Sequence, residues 1–242
     1  MEIEHLEIDS TAFGGNVLAI HGFSANDDLA SAERSYVDKY RPMYVSCKVP
    51  IDALAEIAAL EQHGFNFVEC QLRSTIRLAN RHDTSKFPYV FERVTTEDAL
   101  ADVLKIAGAT FVDDRFCKDP RIGKPASSER YRRYVEKSFK TGDEAVYRLC
   151  DPQTKRTLAF KTHRYVGDDE VLFLLGGVHP GYKTVGLGVV NEYFEFNELY
   201  DKGIRKGTTH ISAANYPVFN LEIGRLGFRV VAAFAVMRKM YG

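Results

Sequence analysis

The chain has 242 residues, 45% hydrophobic and 27% charged, with a formal net charge of −1. That length suits one large domain or two small ones and supports a real core. Near-neutral charge supplies no field to recruit nucleic acid or an anionic membrane. No stretch of about 18 apolar residues predicts a membrane span, and the acidic opening Met1-Glu-Ile-Glu-His lacks the pattern of a secretory leader.

In chain order, residues 3–8 and 16–21 cluster or alternate apolar side chains as strands do. Residues 27–36 read as a helix with Ser24 or Asn26 near its cap. A strand over 43–49 ends at Pro50, a helix runs over 51–62 and stops at Gly64, and a long strand spans 65–78. The polar segment 79–86 reads as a linker, which divides the chain into a first region, 1–82, and a second, 87–242. The second region opens with a strand over 89–94 and a helix over 99–106 begun by Thr96-Glu97-Asp98. Residues 111–124 read as irregular, and Ser127 or Ser128 is placed to cap a helix over 129–139. Strands follow at 145–150, 157–166 and 171–178.

Next comes the most informative stretch, VHPGYKTVGLG from Val178 to Gly188, which carries an apolar strand into a helix over 189–200. A glycine-bearing loop that opens a helix stacks free N–H groups at the positive end of the helix dipole, where a phosphate can sit. Gly186 and Gly188 have no Cβ to block a ligand. A buried strand over 208–215, an apolar-periodic segment from Tyr216, and Gly227-Phe228 before a last strand over 229–237 complete the order. The unit of strand, helix, Gly-Phe and strand occurs twice, at 45–78 and at 211–237, but only the second copy follows a glycine loop. The first copy therefore reads as a wall of an acceptor site or an oligomer surface, such as that of a homodimer, rather than a second phosphate site.

Lys183-Thr184-Val185-Gly186-Leu187-Gly188 resembles the acyl-CoA loop Arg/Gln-x-x-Gly-x-Gly/Ala of the GNAT superfamily of N-acetyltransferases, with Lys183 as a mild departure. The resemblance implies an α/β (α+β) GNAT fold: a mixed, mostly antiparallel sheet flanked by helices, here preceded by a partial GNAT-like half domain. It implies coenzyme A as partner, with Val178, Lys183, Thr184, Val185, Gly186, Leu187, Gly188 and Asn215 around it. Three further stretches resemble nucleotide-sugar N-acyltransferases of the dTDP-fucosamine acetyltransferase type: 8–14, 47–69, and Arg115-Phe116-x-x-Asp119-Pro120 with Ile122. They imply acetyl-CoA or 3-hydroxybutyryl-CoA as donor and a dTDP-linked amino-deoxysugar as acceptor, in the synthesis of bacterial surface polysaccharide such as lipopolysaccharide O-antigen. Arg115, Phe116, Asp119 and Arg121 fall on the acceptor loop, where arginine suits a diphosphate and Phe116 suits a thymine ring.

Acyl transfer needs an aligned neutral amine, a stabilised oxyanion and a proton for the departing thiolate. A backbone N–H within Gly177 to His179 is the candidate oxyanion donor, and Gly176-Gly177 would leave room for a longer acyl chain. His179 and His210 are candidate bases, and water serves equally for an amino sugar. The family's tyrosine acid lies seven residues after the asparagine; here Glu222 holds that place, and the spacing from Asn215 to Gly227 is one residue long. Tyr216, Tyr182, water or Glu222 are the alternatives. Arg130-Tyr-Arg-Arg133 reads as a solvated helix face. The scattered Cys47, Cys70, Cys117 and Cys150 read as reduced thiols of a cytoplasmic protein, with no metal-site spacing. A non-catalytic module binding CoA or a nucleotide, or an acetyltransferase for another small amine, are the rival readings.

Overall fold

A computed structural model describes residues 1–112, 114–182 and 186–242. The first half runs β1 (Glu2–His5), α1 (Glu7–Phe13), β2 (Val17–His21), α2 (Leu29–Tyr40), β3 (Tyr44–Pro50), α3 (Leu54–Gln62) and β4 (Asn66–Arg77). The second begins with β5 (Val90–Arg93), α4 (Glu97–Thr110), α5 (Arg115–Lys118) and α6 (Gly123–Thr141). It continues through β6 (Ala145–Cys150), β7 (Thr157–Val166), β8 (Glu170–Val178) and α7 (Leu187–Asp201). Then come β9 (Lys206–Ser212), α8 (Tyr216–Leu221), one π-helical turn (Glu222–Leu226) and β10 (Arg229–Met240). Thr96 caps α4 through Ala99 N at 3.3 Å, and Asp28, rather than Asn26 or Ser24, caps α2 through Ser31 N at 2.9 Å.

Three stretches differ from the sequence reading. The strand read over 3–8 ends at His5, and residues 7–13 form α1; the Ser10 hydroxyl donates to Leu6 O, and Gly14 closes the helix at φ 75°. Within 111–124, Asp114 caps the short α5 through Phe116 N at 2.7 Å. Helix α6 begins at Gly123, because Ser127 is buried inside it and donates to Asp114 Oδ2 instead of capping. Arg130 is likewise not on a solvated face: its Nε meets Asp9 of α1 at 2.7 Å.

All ten strands share one sheet in the order β1-β2-β3-β10-β4-β9-β8-β7-β6-β5. It is mixed and mostly antiparallel; among the described residues β2 with β3 and β8 with β9 are the parallel pairs. The order exchanges strands between halves. β10, last in the chain, pairs with β3, while β4 of the first half pairs with β9. The two exchanged strands pair with each other from Arg229↔Thr75 to Arg238↔Asn66. Helices α2 and α3 pack on one face around Leu18, Val45, Leu60 and Met237. On that same face α7 packs over Val171, Phe173 and Ile76. On the opposite face α4 and α6 bury Val103, Val135 and Phe160. Segment 79–86 is fixed to α7: the Asn197 side chain accepts from His82 N at 2.7 Å and donates to His82 O at 2.9 Å, and the His82 ring stacks on Tyr193.

Met237 of β10 is fully buried in the first half's core. Met237→Ala is expected to cost about 2–5 kcal/mol. Hydrogen exchange should then quicken in β6 and β7 of the second half as much as in β2. Acceleration confined to the first half would show that the exchanged strands do not couple the two.

Candidate active site

The site starts from a gap in the sheet. Strands β8 and β9 pair only from Glu170–Leu172 to Lys206–Thr208, so Phe173–Val178 and Thr209–Ser212 diverge. The divergence coincides with a β-bulge: the register with β7 jumps between His163↔Phe173 and Thr162↔Leu175, leaving Leu174 as the extra residue. Bulges bend a strand and re-aim its side chains. Leu175 N–H donates to Thr162 Oγ1 at 3.0 Å and His179 N–H to Leu158 O at 2.8 Å, both toward β7. Alternation along the ladder sends Gly177 N–H the same way and Val178 N–H into the gap. Of the three amides from Gly177 to His179, Val178 alone points where a thioester oxygen could be met.

The neighbouring glycines serve packing. A Cβ on Gly177 would stand 2.6 Å from Phe160 and 3.1 Å from Thr110 Oγ1, and one on Gly176 would stand 3.0 Å from Lys161 Nζ. A side chain at either position would meet these neighbours, so packing against β7 and α4 accounts for both glycines.

Beyond β8, His179 organises a 3-10 turn, Pro180–Tyr182. Its Nδ1 accepts from Gly181 N at 3.1 Å, and Arg156 Nη2 lies 3.4 Å from its Nε2, so both ring nitrogens have neighbours. Lys183, Thr184 and Val185 lie outside the described residues. Gly186 then caps α7 at φ 73°, a left-handed conformation that favours glycine, and among the described residues no side chain caps the helix terminus. The amides of Leu187 and Gly188 consequently have no helical partner. The first half differs here: the Asp28 carboxylate caps α2 by accepting from Ser31 N at 2.9 Å, so a side chain closes the matching helix end. Leu187 itself is buried against Leu149 and Leu158, fixing the start of α7 on β6 and β7.

Asn215 caps α8 with Oδ1 3.4 Å from Val218 N, and Tyr216 beside it is 69% exposed. Leu221 at the end of α8 lies 3.9 Å from where a Gly188 Cβ would be, so α8 leans on the start of α7. Glu222 opens the π-helical turn, whose wider winding accommodates the one extra residue before Gly227. The turn carries Glu222 into a buried polar cluster on the α7 side of the sheet. There Lys161 of β7 pairs with Glu192, and its Nζ is 3.4 Å from Glu195 Oε2. Glu195 Oε1 lies 2.8 Å from His163 Nδ1, both residues fully buried. The Glu222 Oε2 atom is buried without a partner among the described residues.

Burial pulls the Lys161 ammonium down, but Glu192 and Glu195 outweigh it and hold it above the ordinary range. Burial, opposed by Lys161 and assisted by Glu195, pushes the Glu192 carboxyl up. Burial, then the Glu192 charge, pushes Glu222 up to about 8 against the pull of Lys161. Glu222 is therefore a neutral acid at pH 7. The sequence put Glu222 at the acid's place, but Lys161, Glu192 and Glu195 gave no motif: they are charged residues in apolar-periodic segments, and only the packing of α7 on β7 brings them together.

The acceptor-loop residues are turned inward. Arg115 pairs with Glu69 of β4, and Phe116 is 3% exposed against Val17 and Tyr44. Asp119 accepts from Arg238 Nε of β10 at 2.9 Å. Arg121 keeps a half-exposed side chain, 3.7 Å from Asp119. Phe116 thus offers no free face for base stacking in this conformation. Among the described residues no three His, Cys, Asp or Glu side chains gather as metal ligands, and no helix is long and apolar enough to cross a membrane.

Solved structures share this architecture over nearly the whole chain. A GCN5-related N-acetyltransferase from Sphaerobacter thermophilus superposes with a TM-score of 0.68 at 12% identity, covering 98% of this chain and 76% of that one. The fold is that of the GCN5-related N-acetyltransferases. A tandem GNAT protein from the clavulanic acid biosynthesis pathway matches with a TM-score of 0.62 at 13% identity over 95% of this chain and 76% of its own. A GCN5-related glucosamine N-acetyltransferase region of a fungal multi-domain β-N-acetylglucosaminidase matches with a TM-score of 0.67 at 11% identity, covering 98% of this chain and 31% of that protein. No family model matches the chain, and no curated sequence matches it significantly.

Glu222 has a raised folded-state pKa, so it binds a proton more tightly folded than unfolded. Its linkage term is neutral below the unfolded carboxylate pKa and costs stability as pH rises from about 4.5 to about 8. Glu222→Gln removes that term. The variant's stability relative to wild type should improve by roughly 2–4 kcal/mol between pH 5 and pH 8 in urea unfolding. A difference independent of pH would mean that Glu222 is ionised in the folded protein.

Proposed function

We propose that this protein transfers a short acyl group from acyl-CoA to a primary amine, with both substrates in the cleft between β8 and β9. The observation that carries the reading is the conjunction, along one side of the gap, of an uncapped helix N-terminus, a gap-facing amide and a neutral buried acid. Leu187 and Gly188 N–H would hold the pyrophosphate, together with Lys183, Thr184, Val185 and Gly186 of the loop. Val178 N–H would take the negative charge that builds on the thioester oxygen. The amine nitrogen forms the new bond to the acyl carbon as the carbon–sulfur bond breaks. Glu222 donates its proton to the departing sulfur and recovers one from solvent. The amine's surplus proton leaves to water, since both His179 ring nitrogens already have neighbours. Asn215, beside the gap, would meet the pantetheine arm with its free amide N–H, and Tyr216 would cover it from solvent.

The donor is acetyl-CoA rather than 3-hydroxybutyryl-CoA, because Lys161, Phe160 and Thr110 fill the space beside Gly176 and Gly177. The acceptor is an amino-deoxysugar carried on dTDP, a choice supported by the resemblance of residues 8–14, 47–69 and 115–122. Arg121, the acceptor-loop residue that keeps solvent access, would serve it. The protein would act as a single second-half site walled by the first half, in the cytoplasm where acyl-CoA and nucleotide sugars occur.

Thiol release from acetyl-CoA with a panel of dTDP-amino sugars and simple amines tests the reading. Turnover with an amino sugar is expected. CoA binding without thiol release from any amine would leave a non-catalytic module in its place. In the active protein, Glu222→Gln should lower kcat about 10²-fold and abolish the loss of rate that wild type shows as pH rises through about 8. A variant with an unchanged pH profile would remove Glu222 from the proton transfer.

A further inference from the structure

The face of the sheet away from α7 carries a second polar assembly where the exchanged strands meet. Lys48 of β3, Gln71 and Arg73 of β4, His210 of β9 and Phe234 of β10 lie side by side on it. The register fixes them: Arg73 is opposite His210, and Gln71 lies between Ser212 and Phe234. Lys48 Nζ donates to Gln71 Oε1 at 3.3 Å and sits 5.1 Å from the Phe234 ring centroid, with the Arg73 guanidinium 5.9 Å from the same ring. Two cations thus converge on one aromatic floor.

Their charge is uncompensated. Among the described residues neither Lys48, Arg73 nor His210 makes an ion pair with a carboxylate. The nearest acid, Glu69 of β4, is taken by Arg115 of α5. Burial, then Arg115 and Arg73, lowers the Lys48 ammonium against the weaker opposing pull of Glu69. His210 reaches solvent at its edge, yet enough protein surrounds the ring to desolvate it; that, with Lys48 and Arg73, pushes it down to about 4. An exposed patch that keeps two cations and an imidazole together without a carboxylate partner suits an anion. Its position is specific too: His210 lies past Thr208, where β9 leaves β8, so the patch borders the gap on the face opposite α7.

We propose that this patch is the acceptor's anion subsite, taking a phosphoryl or diphosphoryl group on Lys48 and Arg73 while His210 gains a proton from solvent and becomes a third cation. The proposal rests on the acyl-transfer reading for the anion's belonging to an acceptor, but the subsite is testable without turnover. It gives the first half a chemical part, since Lys48 and Arg73 both come from it. It also explains why the gap would be reached from two faces, donor over α7 and acceptor over the exchanged strands.

The test follows the His210 imidazole by NMR as pH is varied, with CoA absent and inorganic pyrophosphate added. Pyrophosphate should raise the His210 midpoint by more than one pH unit. Lys48→Gln and Arg73→Gln should each weaken the pyrophosphate effect about tenfold and raise the midpoint of the free protein, because each removes a repelling charge. CoA affinity and the melting temperature should be unchanged in both variants, whose altered side chains are solvent-exposed. An unmoved His210 in wild type, equal pyrophosphate response in the variants, or an equal effect of acetate at the same concentration would overturn the phosphoryl subsite. Failure of acyl transfer reads out separately: no thiol release with any amine, while pyrophosphate still titrates His210, would remove the enzymatic reading and leave an anion site.

Discussion

The antiparallel pairing of β4 with β10 is the constraint on which the rest of the molecule depends. Each strand belongs by sequence to one half and by hydrogen bonding to both. That pairing makes one continuous sheet of two units that would each present an open edge. It also sets the geometry of the gap. β9 is backed by β4 along Lys206–Ser212, so it stays straight while the bulged β8 bends away. Without β4, β9 would be an edge strand with no reason to hold its line.

A second constraint is charge number. Three carboxylates, fully buried Glu195 and half-buried Glu192 and Glu222, gather around the Lys161 ammonium and the His163 imidazole. Burial and like charge in a poorly screened interior push the Glu192 and Glu222 carboxyls up. Glu222, carried by the π-helical turn, reaches about 8 and has an oxygen without a partner among the described residues. The opposite face shows the mirror condition, with cations in surplus.

How legible this was in the sequence depended on where the determining contacts lie. The strands over 145–150, 157–166 and 170–178 could be read because their periodicity is local and bounded by turns. The order Thr96 to Ala99 announced α4, since a cap is a three-residue event. The doubling of the Gly-Phe unit was visible, but the strand exchange was not, because no local pattern says which edge a strand will join. Helix α1 was not legible, its first two residues falling within the strand read over 3–8: its fixing contacts are Arg130, far along the chain, and a glycine cap. The Arg115 to Asp119 loop resembled an acceptor-binding loop, yet its partners Glu69 and Arg238 lie on the exchanged strands. The extra residue before Gly227 was countable, and only coordinates could show that it is spent on a π-turn.

The closed helix end of the first half has an evolutionary corollary. Asp28 occupies the α2 terminus that corresponds in position to the α7 terminus of the second half, where Gly186 offers no such carboxylate. A redundant duplicate is ordinarily free to be lost from a genome. Here loss would remove β4 and strip β9 of its support, and β10 would be left with neither neighbour. Strand exchange therefore makes the first half an obligatory part of the second half's sheet, whatever its own side chains do.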